Sequence, residues 1–304
     1  MSLPNSAPSP TEDRWAAWLT LVGHSAASLR TTATGVEALG FRTLWFPETP
    51  NSREAFTQAA LLLGATERLR IATGVANVWA RDATVAAAVR RTLEDAYPGR
   101  FIMGLGTSHA VRNADRGHTY TKPLTFMREY LHAMSAAGPF DAGSGQSPVM
   151  IAALRGRMQE LAREAADGMH TFFAPPEHTA RARRILGPDP RLVPQQAFII
   201  TDDRDSAVER ARAYVSSRLA LPNYANHLIE LGFTERELAD GGSSTLVERM
   251  VAIGDADEVV TRLSEHHQAG ADQVAAHPLD ERGGGLPQLR LLTDAIARTY
   301  QEPT

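Results

Sequence analysis

The sequence predicts an α/β protein, a closed (β/α)8 barrel of the TIM class, and three observations predict it. Short apolar, β-compatible runs alternate with helical stretches along the chain and give about eight strands, the number a closed parallel barrel requires. Residues 70–75 and 101–105 are near-continuous apolar runs flanking one helical stretch, 83–97, as parallel strands buried on both faces do. Glycine and polar residues follow directly on both runs, at Thr73-Gly74 and from Gly104 to His109, where α/β proteins place their sites. An open doubly wound sheet is the other arrangement compatible with the alternation.

In chain order, residues 15–22 are the first apolar run, and 25–39 carry helical periodicity that stops at Gly40. The run 41–48 leaves that helix and enters a buried strand closed by Pro47, which cannot donate to a ladder. Residues 53–67 form the next helix, with Ser52 as its candidate N-cap. Beyond the unit 68–109, residues 110–119 read as a polar loop, 120–137 as a helix and 141–147 as a Gly/Ser turn. Strand 148–153, helix 156–166, strand 168–173, helix 177–186, strand 193–201 and helix 205–219 continue the alternation. The rhythm then breaks. Residues 222–254 read as two or more helices, a helical insertion before the last β/α unit. A capped helix 255–269, Gly270, strand 272–277 and helix 286–300 complete the chain. The Ser/Pro-rich residues 1–11 read as a disordered leader, leaving 12–304 as a single barrel domain.

Composition narrows the function. A net charge of −4 argues against nucleic acid and anionic membrane as partners. With no cysteine there are no disulfides, thiolate metal sites or cysteine nucleophiles. No apolar run is long enough to span a bilayer, and the start lacks a signal-peptide plan, so a cytoplasmic protein is expected. His118, His170, His178, His227, His266 and His277 show no metal-ligand spacing, so no metal is expected. No P-loop or nucleophile elbow occurs.

The spaced motifs Ala72-Thr73-Gly74-Val75-Ala76-Asn77, Ala80-Arg81-Asp82, Gly99-Arg100-Phe101 and Gly104-Leu105-Gly106 carry a resemblance. They resemble the luciferase-like monooxygenase superfamily, above all its branch of oxidoreductases that use the deazaflavin coenzyme F420. Ile151-Ala152-Ala153-Leu154, Ala165-Ala166-Asp167-Gly168 and Ala269-Gly270-Ala271-Asp272 extend the match over most of the chain. The resemblance implies a bacterial-luciferase-like barrel that passes hydride between coenzyme F420 and a small organic substrate. Flavin mononucleotide (FMN) monooxygenases share the barrel and are one alternative. A barrel that has lost catalysis and only binds a ligand or partner is another. Family members often form homodimers, and the alanine-rich face over 83–89 would allow close packing in one.

The resemblance also implies site residues. It places a non-proline cis peptide at Gly74–Val75, in a bulge backing the central ring of the cofactor, with Ala76 and Asn77 beside it. A plain turn glycine after a strand is the competing reading of Gly74. Gly106 and Thr107 end the fourth strand and belong to the same cofactor wall. His109 follows them and is the first candidate for proton transfer, since histidine titrates near neutral pH. Relatives carry a carboxylic acid where His109 falls. Glu48, at the end of the second strand, is the second catalytic candidate. Several F420 enzymes have a histidine where Thr49 stands, so either His109 takes over its role, the reaction differs, or activity is lost. Ala152, Ala153, Gly156 and Arg157 join a strand to a helix start, which suits an anion, and the resemblance places the ribityl or phosphate part of the cofactor there. Tyr120 and Tyr224 are candidate wall residues.

Overall fold

The apolar runs become parallel strands, each followed by a helix, in a computed structural model that describes residues 13–137, 146–280 and 282–300. The expected leader 1–11 and residues 141–145 of the expected turn lie outside the described residues. The strands are β1 (Trp15–Trp18), β2 (Thr43–Phe46), β3 (Arg70–Thr73), β4 (Ala76–Asn77), β5 (Phe101–Gly106), β6 (Val149–Ala152), β7 (Gly168–Thr171), β8 (Arg191–Ile200), β9 (Val251–Gly254) and β10 (Val274–Pro278). The path β10-β1-β2-β3-β5-β6-β7-β8 returns on itself through the β8–β10 pairing and closes an eight-stranded parallel barrel.

Period-two alternation divides the strand residues between two cores. Ala16, Trp18, Trp45, Ala72, Ile102, Met150, Val193 and Ala275 point inward and fill the barrel. Their neighbours Ala17, Leu44, Phe46, Ile71, Phe101, Met103 and Ile151 point outward and pack under the helices. The helices start where short polar side chains meet free N–H groups. Ser25 caps α1 (Ala26–Ala38), Asp82 caps α3 (Ala83–Ala96), and Asp255 forms a capping box with Glu258 on α12 (Ala256–Gln268). Of the alanines on α3, Ala86 and Ala87 pack into the chain's own core. No described helix is long and apolar enough to cross a membrane.

Three expectations need correction. The cap of α2 (Ala55–Leu63) is Glu54, whose carboxylate accepts from the Phe56 and Thr57 N–H groups, while the Ser52 hydroxyl closes a turn with Thr49. The segment 110–119 begins with a short helix, α4 (Ala110–Ala114), in place of a pure loop. The segment 222–254 holds α9 (Pro222–Glu230), α10 (Glu235–Leu238) and α11 (Ser244–Met250), but its last four residues are β9. The strand β8 is long enough to serve two partners on one edge: its first half pairs with β7, and its far end pairs Ala197–Ile200 with Val251–Gly254, outside the closed ring. Four consecutive apolar-compatible residues find an open strand edge there, and tertiary pairing overrides the helical context.

Candidate active site

The signature motifs meet at a bulge. Ala72 pairs with Ile102, and Ala76 with Leu105, so β3–β4 carries one residue more than β5 between these pairs. The extra length is taken up at Gly74 and Val75, joined by a cis peptide bond. Both glycines of Gly104-Leu105-Gly106 are explained by this bulge. A Cβ on Gly104 would lie 1.8 Å from the Thr73 carbonyl oxygen, and one on Gly106 would lie 2.4 Å from Val75 Cγ2. The Thr73 hydroxyl replaces the missing ladder contacts, donating to the Gly104 carbonyl at 2.7 Å and accepting from the Gly104 N–H at 2.9 Å.

A cavity of about 910 Å³ opens at the C-terminal ends of β2, β3, β5, β6 and β7. Its floor is polar. Trp18, His170 and Thr171 are all buried, and the indole N–H of Trp18, Nε2 of His170 and Oγ1 of Thr171 have no hydrogen-bond partner. His170 stacks on Trp45 at 4.6 Å and donates from Nδ1 to the Val193 carbonyl at 2.8 Å. That bond leaves Nε2 as a lone-pair acceptor, and burial pushes the ring's pKa down to about 4, so it is neutral at pH 7. The floor thus carries a donor, an acceptor and a hydroxyl without partners, on residues that line the cavity. A Cβ on Gly74 would stand 3.0 Å from Trp18 Nε1 and 3.3 Å from His170 Nε2, so a side chain there would fill the space above this floor.

Glu48 and Asn77 support the bulge. Glu48 is buried and both its oxygens are used: Oε1 pairs with Arg81 Nη2 at 2.6 Å and Oε2 accepts from the Asn77 N–H at 2.7 Å. Arg81 also pairs with Glu54 at 2.8 Å, and its guanidinium lies 4.5 Å from the centre of the Phe56 ring. The Asn77 side chain accepts from the Trp79 N–H and donates to Asn113, which in turn donates to the Thr107 carbonyl. This network ties the ends of β2, β4 and β5 together. Removing the Glu48 carboxylate would leave buried Arg81 with only the half-exposed Glu54 and strip the Asn77 N–H of its partner. Glu48→Ala is therefore expected to cost roughly 3 kcal/mol of stability, read as a lower urea midpoint; an unchanged midpoint would contradict this bracing role.

His109 leads into α4 beside the cavity, its ring centre 5.1 Å from that of Tyr224 on α9. Burial, helped by the charge of Arg112, pushes its pKa down to about 4, so His109 rests as a neutral imidazole. On another wall, α6 (Gly156–Ala165) starts without a side-chain cap, next to Arg155, Arg157 and Arg181. Arg155 is paired with Glu230 of α9 at 3.4 Å. Uncapped N–H groups and positive side chains make this end of the cavity suited to an anion.

The structure brings nearly all the expected residues to one place: Glu48, Gly74, Val75, Asn77, Gly106, Thr107, His109, Ala152, Ala153, Gly156 and Arg157 all line the cavity, as do Tyr120 and Tyr224. Ala76 does not. It is fully buried in the outer core and pairs with Leu105, because the bulge turns Val75 and Asn77 to the cavity and their shared neighbour away from it. Sequence reading assigns no role to Trp18, Thr171, Arg112 or Arg218. Arg112 alone carries a signal, since it lies one helical turn after His109. Among the described residues no group of acidic and histidine side chains could hold a metal ion.

Comparison with known proteins bears on the family and the fold. The profile of the family described as luciferase-like monooxygenase matches residues 11–273. A protein of Mycobacterium tuberculosis, provisionally named a coenzyme F420-dependent oxidoreductase, is 32% identical over 303 residues, covering 78% of this chain and 87% of the relative. The solved coenzyme F420-dependent tetrahydromethanopterin reductase from Methanopyrus kandleri superposes with a TM-score of 0.77 at 16% identity, covering 95% of this chain and 99% of the other. The oxygenating constituent of 3,6-diketocamphane monooxygenase from Pseudomonas putida, solved in complex with FMN, superposes with a TM-score of 0.70 at 14% identity, covering 96% and 99%. At these identities the two solved structures share the fold alone.

Proposed function

The chain belongs to the luciferase-like monooxygenase family, and from that premise we propose that it is an oxidoreductase passing hydride between coenzyme F420 and a small organic substrate. The observation that carries the reading is the cavity floor. A deazaflavin ring has an edge of carbonyl acceptors and an N–H donor. The unpartnered Trp18 N–H, His170 lone pair and Thr171 hydroxyl are the complement of such an edge, and buried polar groups without partners are otherwise costly. The bulge at Gly74–Val75 would back the ring, and the uncapped start of α6 with Arg157 would take its phosphate. When bound, the deazaflavin supplies the hydride-accepting carbon.

The protein's own residues would do the rest. His109 rests neutral and so has a lone pair to accept with, though burial makes it a weak base: as hydride leaves a carbinol carbon, His109 would take the hydroxyl proton. Glu48, with both oxygens engaged, is read as a positioning residue that holds Asn77 and Arg81 and does not itself transfer a proton. Flavin mononucleotide presents a similar ring edge and phosphate, and a solved structure of this fold holds it, so an FMN monooxygenase is the second reading.

Titration of the purified protein with coenzyme F420, followed by quenching of its fluorescence, tests the placement. Arg157→Gln and Thr171→Val are each expected to weaken binding roughly 5–30-fold. His109→Gln is expected to keep the affinity and lower turnover by about 10²–10⁴-fold. Unchanged affinity in both binding variants would overturn the placement.

A further inference from the structure

Among the described residues, four of the five arginines on the cavity wall, Arg112, Arg157, Arg181 and Arg218, have no carboxylate partner, and two of them, Arg112 and Arg218, stand on helices other than α6 and the helix after it. Arg112, on α4 one turn after His109, makes no hydrogen bond or ion pair among the described residues. Arg218 lies near the end of α8 (Arg204–Leu219) and, among the described residues, donates only to the Tyr214 carbonyl at 3.3 Å and the Ser217 hydroxyl at 2.7 Å. Its guanidinium carbon sits 3.7 Å from the centre of the Tyr214 ring and 5.8 Å from that of Phe172, so it is held flat against aromatic faces while its charge stays uncompensated. Arg81 is matched by Glu48 and Glu54, Arg155 by Glu230 and Arg210 by Asp280, while Arg157 and Arg181 stay open at the α6 side, where the cofactor's phosphate would lie.

Arg112 and Arg218 act on the same place. Tyr224 feels the positive charge of each, and its ring lies 5.1 Å from His109 and 5.9 Å from Phe172. The ring sits on α9, whose Asn223 also lines the cavity. The position is set by α4, the end of α8 and the start of α9, whereas the far end of α9 carries Glu230, paired with Arg155 at the α6 start that would take the cofactor's phosphate. Two half-buried guanidinium groups beside one ring concentrate positive charge there, and a guanidinium fork fits a carboxylate or phosphate oxygen pair.

We propose that Arg112 and Arg218 hold the anionic group of the substrate, so that the substrate is a small organic anion, a carboxylate or phosphate ester, with its reacting carbon presented to His109. The proposal rests on the reading that the floor and the α6 side of the same cavity take the cofactor. It goes beyond that reading in naming the substrate class and the residues that select it.

The test is isothermal titration of the protein saturated with coenzyme F420, using benzoate, phenyl phosphate and the neutral benzamide as probes. At least one anion is expected to bind roughly tenfold or more tightly than benzamide, and Arg112→Gln and Arg218→Gln are each expected to remove roughly tenfold of that affinity. Which anion wins distinguishes carboxylate from phosphate recognition. The cofactor affinity of both variants should match the parent protein. Equal binding of anions and benzamide, or undiminished anion binding in both variants, would overturn the proposal. So would a loss of cofactor affinity with anion binding intact, which would assign the two arginines to the cofactor. If coenzyme F420 does not bind at all, the same titrations on cofactor-free Arg157→Gln protein read the anion preference separately. A preference for an anion that falls in the two arginine variants would again support the proposal, and no preference would overturn it.

Discussion

Gly104→Ala is expected to leave little folded protein, with a loss of more than about 4 kcal/mol if any can be measured. The new Cβ would stand 1.8 Å from a backbone oxygen, the Thr73 carbonyl, which cannot rotate away. The Thr73 hydroxyl holds that oxygen's residue to both the carbonyl and the N–H of Gly104, so relief would require breaking the join between β3 and β5. Gly106→Ala differs in kind. Its obstacle at 2.4 Å is the end of the Val75 side chain. Gly106→Ala should cost less, and adding Val75→Ala should recover much of the loss, whereas Val75→Ala should not rescue Gly104→Ala. Urea unfolding of the four proteins separates these cases. A soluble Gly104→Ala protein with the parent midpoint would contradict the bulge as the origin of the glycine pair.

Acid is expected to have the second large effect. His170, His178, His227 and His266 are all buried, with exposures of 2%, 1%, 3% and 0%. Burial is the leading cause that lowers each pKa, to about 4 for His170 and His178 and to about 3 for His227 and His266, from an ordinary 6.5. These rings are bonded as neutral groups. His266, for example, sits between the Thr179 hydroxyl and the Gln196 side-chain oxygen. The unfolded chain binds protons on them below pH about 6.5, and the folded chain does not until pH falls to about 4 or below. Their contribution to stability is therefore complete above pH 6.5 and is lost as pH falls from there toward 4. Each proton contributes about 1.4 kcal/mol per pH unit, so the loss by pH 5 is on the order of 8 kcal/mol for the four rings together. Urea midpoints at pH 7.5, 6 and 5 should fall steeply, and a flat profile would contradict the neutral, buried state of these rings.

The strands were legible because a parallel barrel buries both faces of each, which leaves unbroken apolar runs such as Arg70–Thr73 and Phe101–Gly106. The bulge was legible only through resemblance, since spacing alone permits a plain turn at Gly74. Its consequence for Gly104 and Gly106 depends on where the Thr73 carbonyl and the Val75 side chain come to lie, and no local pattern encodes that. Strand β9 was hidden because it follows α11 with no turn between Met250 and Val251 and owes its form to the free edge of β8. Arg112 lies in a short helix beside exposed Val111, and Arg218 near the end of a helix most of whose exposed residues are ordinary polar ones. Their distinction is the absence of an acidic partner, which is a property of the assembled neighbours. The polar floor was hidden for the same reason: nothing in the sequence marks Trp18 or Thr171, and only the closed barrel shows that their polar atoms are buried without a partner on residues lining the cavity.

The most direct test of coenzyme F420 as the cofactor is a parallel titration of the cofactor-free protein with coenzyme F420 and with flavin mononucleotide. Micromolar or tighter binding of the deazaflavin is expected, with clearly weaker binding of the flavin. The reverse preference, or no binding of either, would contradict the assignment.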